Sequence, residues 1–206
     1  YRPIYELEHI SNINKVSINN ISFGSNSKVI KDMTVQKEPL KRLELLNSLT
    51  QRSRENVIGL VNHESLKDAK GKSLLSLEMY LDACLRNQHL FSQLPNTIAD
   101  NVLGVVNHKK LKDEEGKPIL SLKGYLNACL DQPQLFSMSP DTIADKIIGV
   151  VNHEKFKDSK GKPFLTLKAY LVDCLKRPPL FYYSPDTVVD NVLGVVDNEK
   201  LRYKCG

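Results

Sequence analysis

The segment Asn101-Val-Leu-Gly-Val-Val-Asn-His108 recurs from Asn56 to His63, from Lys146 to His153 and, altered at its end, from Asn191 to Asn198. Each copy stands 45 residues from the last with no insertion. Blocks 101–145 and 146–190 agree at roughly 26 of 45 positions. A period of that size constrains the fold before composition is considered. One unit is too small to bury its own apolar surface, so successive units must stack and share a continuous core. One period further back, Leu45-Leu46 aligns with Leu90-Phe91 and Leu49 with Leu94. The array therefore reads as a partial unit over 38–55, full units over 56–100, 101–145 and 146–190, and a truncated unit over 191–206.

Two helices are legible in each unit. The first starts at Ser76, Ser121 or Thr166, residues whose side-chain oxygen accepts one of the orphan N–H groups of a helix start. From Ser121 onward, Leu122, Tyr125, Leu126, Cys129 and Leu130 form one apolar stripe. The second helix opens at Ser139-Pro140-Asp141 and again at Ser184-Pro185-Asp186. That is a cap, a proline where no N–H is needed, and an acid at the positive helix end. Ile143, Ile147, Ile148 and Val151 make its apolar face. Between the helices the pairs Leu90-Phe91, Leu135-Phe136 and Leu180-Phe181 repeat in a linker, and such a pair is expected to plug the groove between neighbouring helices. Gly59, Gly104, Gly149 and Gly194 sit inside the second helix, where each costs nearly 1 kcal/mol relative to Ala. Their recurrence predicts a close crossing by a neighbour. Asn62, Asn107 and Asn152 are read as an inter-unit ladder or as left-handed helix terminators.

After the second helix comes a turn, Lys112-Asp113-Glu114-Glu115-Gly116-Lys117-Pro118. Asp113 and Gly116 followed by Leu120 and Leu122, like Asp158 and Gly161 followed by Leu165 and Leu167, resemble the turn and helix start of the ankyrin repeat. The likeness covers about a dozen residues per unit, and the period is longer than the roughly 33 residues of that family. Pro118-Ile-Leu-Ser121 stands where the family has Thr-Pro-Leu-His. The resemblance implies a helix-pair solenoid used for protein binding. The expected fold is thus all-α: a right-handed α-solenoid of 45-residue helix-pair units. Residues 1–37 differ in kind, with Val16, Ile18, Ile21, Val29 and Ile30 around Gly24-Ser25-Asn26-Ser27. They read as a small irregular or β-containing N-terminal cap or arm.

Charge narrows the choice of partner. The chain carries a net +5, but residues 56–100 hold four basic and five acidic side chains and residues 101–145 five and six. A protein tracking a phosphate backbone repeats its positive charge along its length, so nucleic acid or an acidic surface is the second choice. It would use Lys109, Lys110, Lys112, Lys117, Lys155, Lys157, Lys160 and Lys162 near the turns. A structural spacer is the other alternative. There is no run of 18 apolar residues, so no membrane span is expected. Tyr1 stands where Met would begin a complete chain, and the sequence reads as part of a longer protein. Cys84, Cys129 and Cys174 fall one to a unit, too far apart to pair as disulfides, and unpaired cysteines suit the cytoplasm or another reducing compartment.

Repetition also bears on catalysis. His63, His108 and His153 occupy one position in successive units. Stacked equivalents lie roughly 8–10 Å apart, too far to share one zinc ion. Asp68, Asp113 and Asp158, five residues on, could pair with them, yet two groups do not make a catalytic site. Cys84, Cys129 and Cys174 fall on the apolar stripe as small buried hydrophobes. No enzyme activity, cofactor or metal is expected, and the sequence leaves the oligomeric state open. What varies between units is the linker: Arg86, Asn87 and His89 in the first, Asp131, Gln132 and Gln134 in the second, Lys176 and Arg177 in the third, followed by Tyr182 and Tyr183. Tyrosine beside Lys and Arg is the composition of binding hot spots. These ten residues are the candidate surface for a protein partner.

Overall fold

A computed structural model describes Arg42 and residues 44–196, with side chains to 193. The expected N-terminal cap, and all but the start of the truncated last unit, lie outside the described residues. Those described are helical, with three isolated backbone bridges, Lys67–Ser73, Lys112–Pro118 and Lys157–Pro163. After helical residues 44–48 come α1 (Gln51–Val61), α2 (Leu77–Arg86), α3 (Pro95–Val106), α4 (Leu122–Asp131), α5 (Pro140–Val151), α6 (Leu167–Lys176) and α7 (Pro185–Val196).

The helix starts follow the capping chemistry. Ser76, Ser121 and Thr166 accept N–H bonds from Met79, Gly124 and Ala169 at 3.1–3.2 Å. Ser139 and Ser184 do the same for Thr142 and Thr187. Leu94 fills that place in front of α3 and offers no side-chain cap. Pro95, Pro140 and Pro185 each begin a helix, where their missing N–H leaves nothing unsatisfied.

Packing joins α1 to α2, α3 to α4 and α5 to α6 across the turns, and also α1 to α3 to α5 to α7 and α2 to α4 to α6. Each linker is itself a 3-10 turn: Gln88–Ser92, Pro133–Ser137 and Pro178–Phe181. Linker residues Leu90, Leu135, Phe136 and Phe181 are buried in one core with Tyr80, Tyr125, Ile98, Val102, Ile143 and Ile147. Burial of each such side chain is worth about 1.5–3 kcal/mol. Phe136 meets Tyr80 edge-on at 5.5 Å and Phe181 meets Tyr125 at 5.3 Å, so each ring locks onto the helix one unit earlier.

The helix glycines answer to the same crossing. A Cβ on Gly104 would lie 2.4 Å from Pro140 Cγ, and on Gly149 2.6 Å from Pro185 Cγ. The close neighbour is the first proline of the next stacked helix. Two expectations are corrected. Asn62, Asn107 and Asn152 end their helices at φ near −95° and ψ near 5°, so they are not left-handed terminators; their N–H groups bond carbonyls of the last turn. Asp68, Asp113 and Asp158 do not pair with the histidines. Each closes its own turn: Asp113 Oδ1 accepts the N–H groups of Glu115 and Lys117 at 3.0 and 2.8 Å, while Gly116 takes the positive φ of 78° that the turn requires.

Candidate functional site

The three linkers are held from below by their apolar residues and from the side by helix polar groups. Asn56 Nδ2 donates to the Phe91 carbonyl and Asn101 Nδ2 to that of Phe136, both at 3.2 Å. In the third unit Lys146 Nζ reaches the Tyr182 carbonyl at 2.5 Å. The sequence signal for these linker-holding residues is a polar side chain recurring at the start of an otherwise apolar repeated block.

Held in this way, successive linkers bond to one another. Ser137 Oγ donates to Gln93 Oε1 at 3.0 Å. Tyr182 Oη donates to Gln132 Oε1 at 3.4 Å, and the same oxygen accepts from Gln134 Nε2 at 3.1 Å. Arg86 donates from Nη1 to the Asp131 carbonyl at 2.9 Å and from Nη2 to the Leu130 carbonyl. Its cation therefore caps the negative end of α4, so much of its bonding capacity is spent inside the chain. Asn87 is half-buried at the end of α2, and its N–H bonds the Ala83 carbonyl. His89, Asp131, Lys176 and Arg177 are exposed. Tyr183 is exposed and stacks edge-on against half-buried Tyr182 with ring centres 5.1 Å apart. The structure thus brings together Gln132, Gln134, Tyr182 and Tyr183, and separately Arg86 with Asp131.

The repeated histidines serve the unit boundary. The Nδ1 atoms of His108 and His153 accept the N–H of Lys110 and Lys155 at 3.2 Å, and Ser65 Oγ bonds His63 Nδ1 at 2.7 Å. With Nδ1 accepting, the neutral ring carries its proton on Nε2. Nε2 then donates to Asn96, Asp141 or Asp186 at the start of the next stacked helix, at 3.0–3.1 Å. The His108 imidazole, through that bond, holds the Asp141 carboxyl below its usual range. Among the described residues no three His, Cys, Asp or Glu side chains gather as a metal-ligand set. Burial pushes the Cys84 and Cys174 thiols up to about 12, and raises Cys129 as well. None is a thiolate nucleophile at neutral pH.

Several of the turn lysines are already paired. Lys110 bonds Asp145 at 2.5 Å and Lys155 bonds Asp190 at 2.9 Å, each across to a stacked helix. Lys117 pairs with Glu115 and Lys157 with Glu154. No helix among the described residues is long and apolar enough to cross a membrane. Compared with protein-family models, curated proteins and solved structures, the chain matches none.

Proposed function

We propose that the chain is a right-handed α-solenoid of 45-residue helix-pair units that serves as a non-catalytic scaffold and binds a protein partner along its interhelix linkers. The observation that carries this reading is the bonding of each linker to the next. Ser137 with Gln93, Tyr182 with Gln132 and Arg86 with the Asp131 carbonyl make the variable segments neighbours on one surface. Linkers anchored from one repeat position, by Asn56, Asn101 and Lys146, with side chains that differ, as at Asp131, Lys176, Arg177 and Tyr183, suit a surface selected for what it touches. Aromatic rings packed against one another, as Tyr182 and Tyr183 are, concentrate binding energy because little rotamer freedom remains to be lost. The phosphate-tracking alternative is weakened by the turn lysines already engaged with Asp145, Asp190, Glu115 and Glu154.

The test compares three forms of the immobilised chain: the parent, a linker variant (Lys176→Glu with Tyr183→Ala) and a turn variant (Lys109→Glu with Lys112→Glu). A protein bound by the parent is expected to be lost by the linker variant and kept by the turn variant. The opposite pattern, with affinity falling steeply as salt rises, would refute the proposal in favour of a nucleic acid or acidic surface.

A further inference from the structure

The repeated imidazole is used in two different ways. His108 and His153 accept, at Nδ1, the backbone N–H of the residue two positions on, Lys110 or Lys155. In the first unit that residue is Ser65, and its hydroxyl takes the place of the N–H, 2.7 Å from His63 Nδ1. The exchange leaves the Ser65 N–H without an acceptor among the described residues. Ser65 is exposed and His63 half-buried, so the hydroxyl is open to a reagent from solvent while the ring is held by the protein.

A third group holds the ring. His63 Nε2 lies 3.1 Å from Asn96 Oδ1, a carbonyl oxygen that only accepts. Nε2 therefore carries the proton, and Nδ1 presents its lone pair to the Ser65 hydroxyl. A hydroxyl, an imidazole and an orienting acceptor in that order make a weak nucleophile reactive. The base takes the proton as the oxygen attacks, and the third group fixes the tautomer of the base. Other exposed serines are bonded differently: Ser48 donates to the Leu45 carbonyl, and Ser139 bonds the Thr142 hydroxyl.

We propose that Ser65 is an acyl-acceptor site, taking a small acyl group from a carbonyl carbon that bears a good leaving group, as in thioesters and activated esters. Ser65 Oγ bonds that carbon while its proton passes to His63 Nδ1. The bond from the carbon to the sulfur or oxygen of the leaving group breaks, and that atom keeps the electron pair. The imidazolium then gives its proton to the leaving group or to water. Asn96 accepts from Nε2–H throughout, positioning the ring and steadying its charge. The Ser65 N–H, on the same residue as the attacking oxygen, is a donor for the carbonyl oxygen as negative charge develops there. The product is a scaffold modified at Ser65, and none of the linker residues proposed to bind a partner takes part.

The full chain treated with p-nitrophenyl acetate tests this, with nitrophenolate release followed in time and the acetylated peptides mapped by mass spectrometry. A fast phase is expected, with acetyl reaching Ser65 about a hundredfold faster than Ser48 or Ser139, since a positioned base contributes roughly 10²–10⁴-fold. Ser65→Ala removes the fast phase, and His63→Gln, which lacks the base, reduces Ser65 to the rate of the other serines. Asn96→Ala slows the fast phase by about tenfold or more. Asn96→Asp restores it, because it keeps an acceptor for Nε2–H, as Asp141 and Asp186 do in the later units. Far-ultraviolet circular dichroism and the thermal midpoint of each variant confirm that it is folded. A chain with no fast phase, a fast phase that survives Ser65→Ala or a folded His63→Gln variant, or an Asn96→Asp variant as slow as Asn96→Ala would each overturn the proposal.

Discussion

Replacing Gly104 by alanine sets two well-defined effects against each other. Alanine is favoured over glycine in a helix interior by about 0.8–1 kcal/mol, and Gly104 lies within α3, so propensity alone predicts a gain. The new methyl would stand 2.4 Å from Pro140 Cγ and 3.1 Å from its Cβ, against an optimum of roughly 3.5–4.0 Å between carbons. Pro140 cannot swing aside as a flexible side chain would, because its ring is fused to the first residue of α5. Relief requires α5 to move by about 1 Å relative to α3, in a core that continues on both sides. Overpacking of this kind costs about 1–3 kcal/mol or somewhat more, so Gly104→Ala is expected to destabilise by about 1–2 kcal/mol net. Urea unfolding followed by circular dichroism measures it, with the midpoint shift as the readout. Gly59→Ala, where the contact is 2.9 Å, is expected to cost less, and Gly149→Ala, at 2.6 Å, to fall between. Gly104→Ala in a Pro140→Ala background should recover most of the loss. A stabilised Gly104→Ala variant would refute the crossing argument, because propensity would then have decided the outcome.

Other perturbations reach other parts of the chain. The Tyr125 hydroxyl is buried against the Cys129 thiol, a weak hydrogen-bonding group, so Tyr125→Phe is expected to cost less than about 1 kcal/mol; Tyr170→Phe, which also loses a 3.3 Å bond to the Leu180 carbonyl, is expected to cost more, and calorimetry of the pair decides. Asp113→Ala removes the acceptor for two turn N–H groups and is expected to cost about 1–2 kcal/mol in urea melts. Because the His108 bond depresses the Asp141 carboxyl, its contribution to stability is present above the ordinary carboxylate pKa and lost as pH falls through the lowered value. Asp141→Asn is therefore expected to be less stable than the parent at neutral pH, with the difference closing in acid; a gap that stayed constant down to strongly acidic pH would contradict the bond's role. In a Cys205→Ser background, alkylation of the native chain is expected to be slow and to accelerate with denaturant, since burial of Cys84 and Cys174 holds their thiols up at about 12.

Much of the helix plan was legible in the sequence because it is written in local chemistry. Ser121 and Ser139 cap the helices that follow them, Pro140 opens one, and Gly116 takes the left-handed turn position. Each acts within four or five residues of itself, so spacing alone revealed them. The apolar stripe likewise marked Tyr125, Leu126 and Cys129 as core. The 45-residue recurrence implies that like residues at one repeat position, such as His63, His108 and His153, share one environment.

What the sequence could not state was which residue meets which across a boundary. The partner of Gly104 proved to be Pro140, that of His108 to be Asp141, and that of Arg86 to be the carbonyl end of α4. Asp113, which spacing had offered to His108, turned inward on its own loop. Pairings of this kind span more than thirty residues and depend on the register in which one helix lies on the next, a quantity with no local signature. The same holds for the linkers. Their variation was visible in the sequence, but only the stacking of the helices beneath them placed Gln132 beside Tyr182 and left Tyr183 facing solvent.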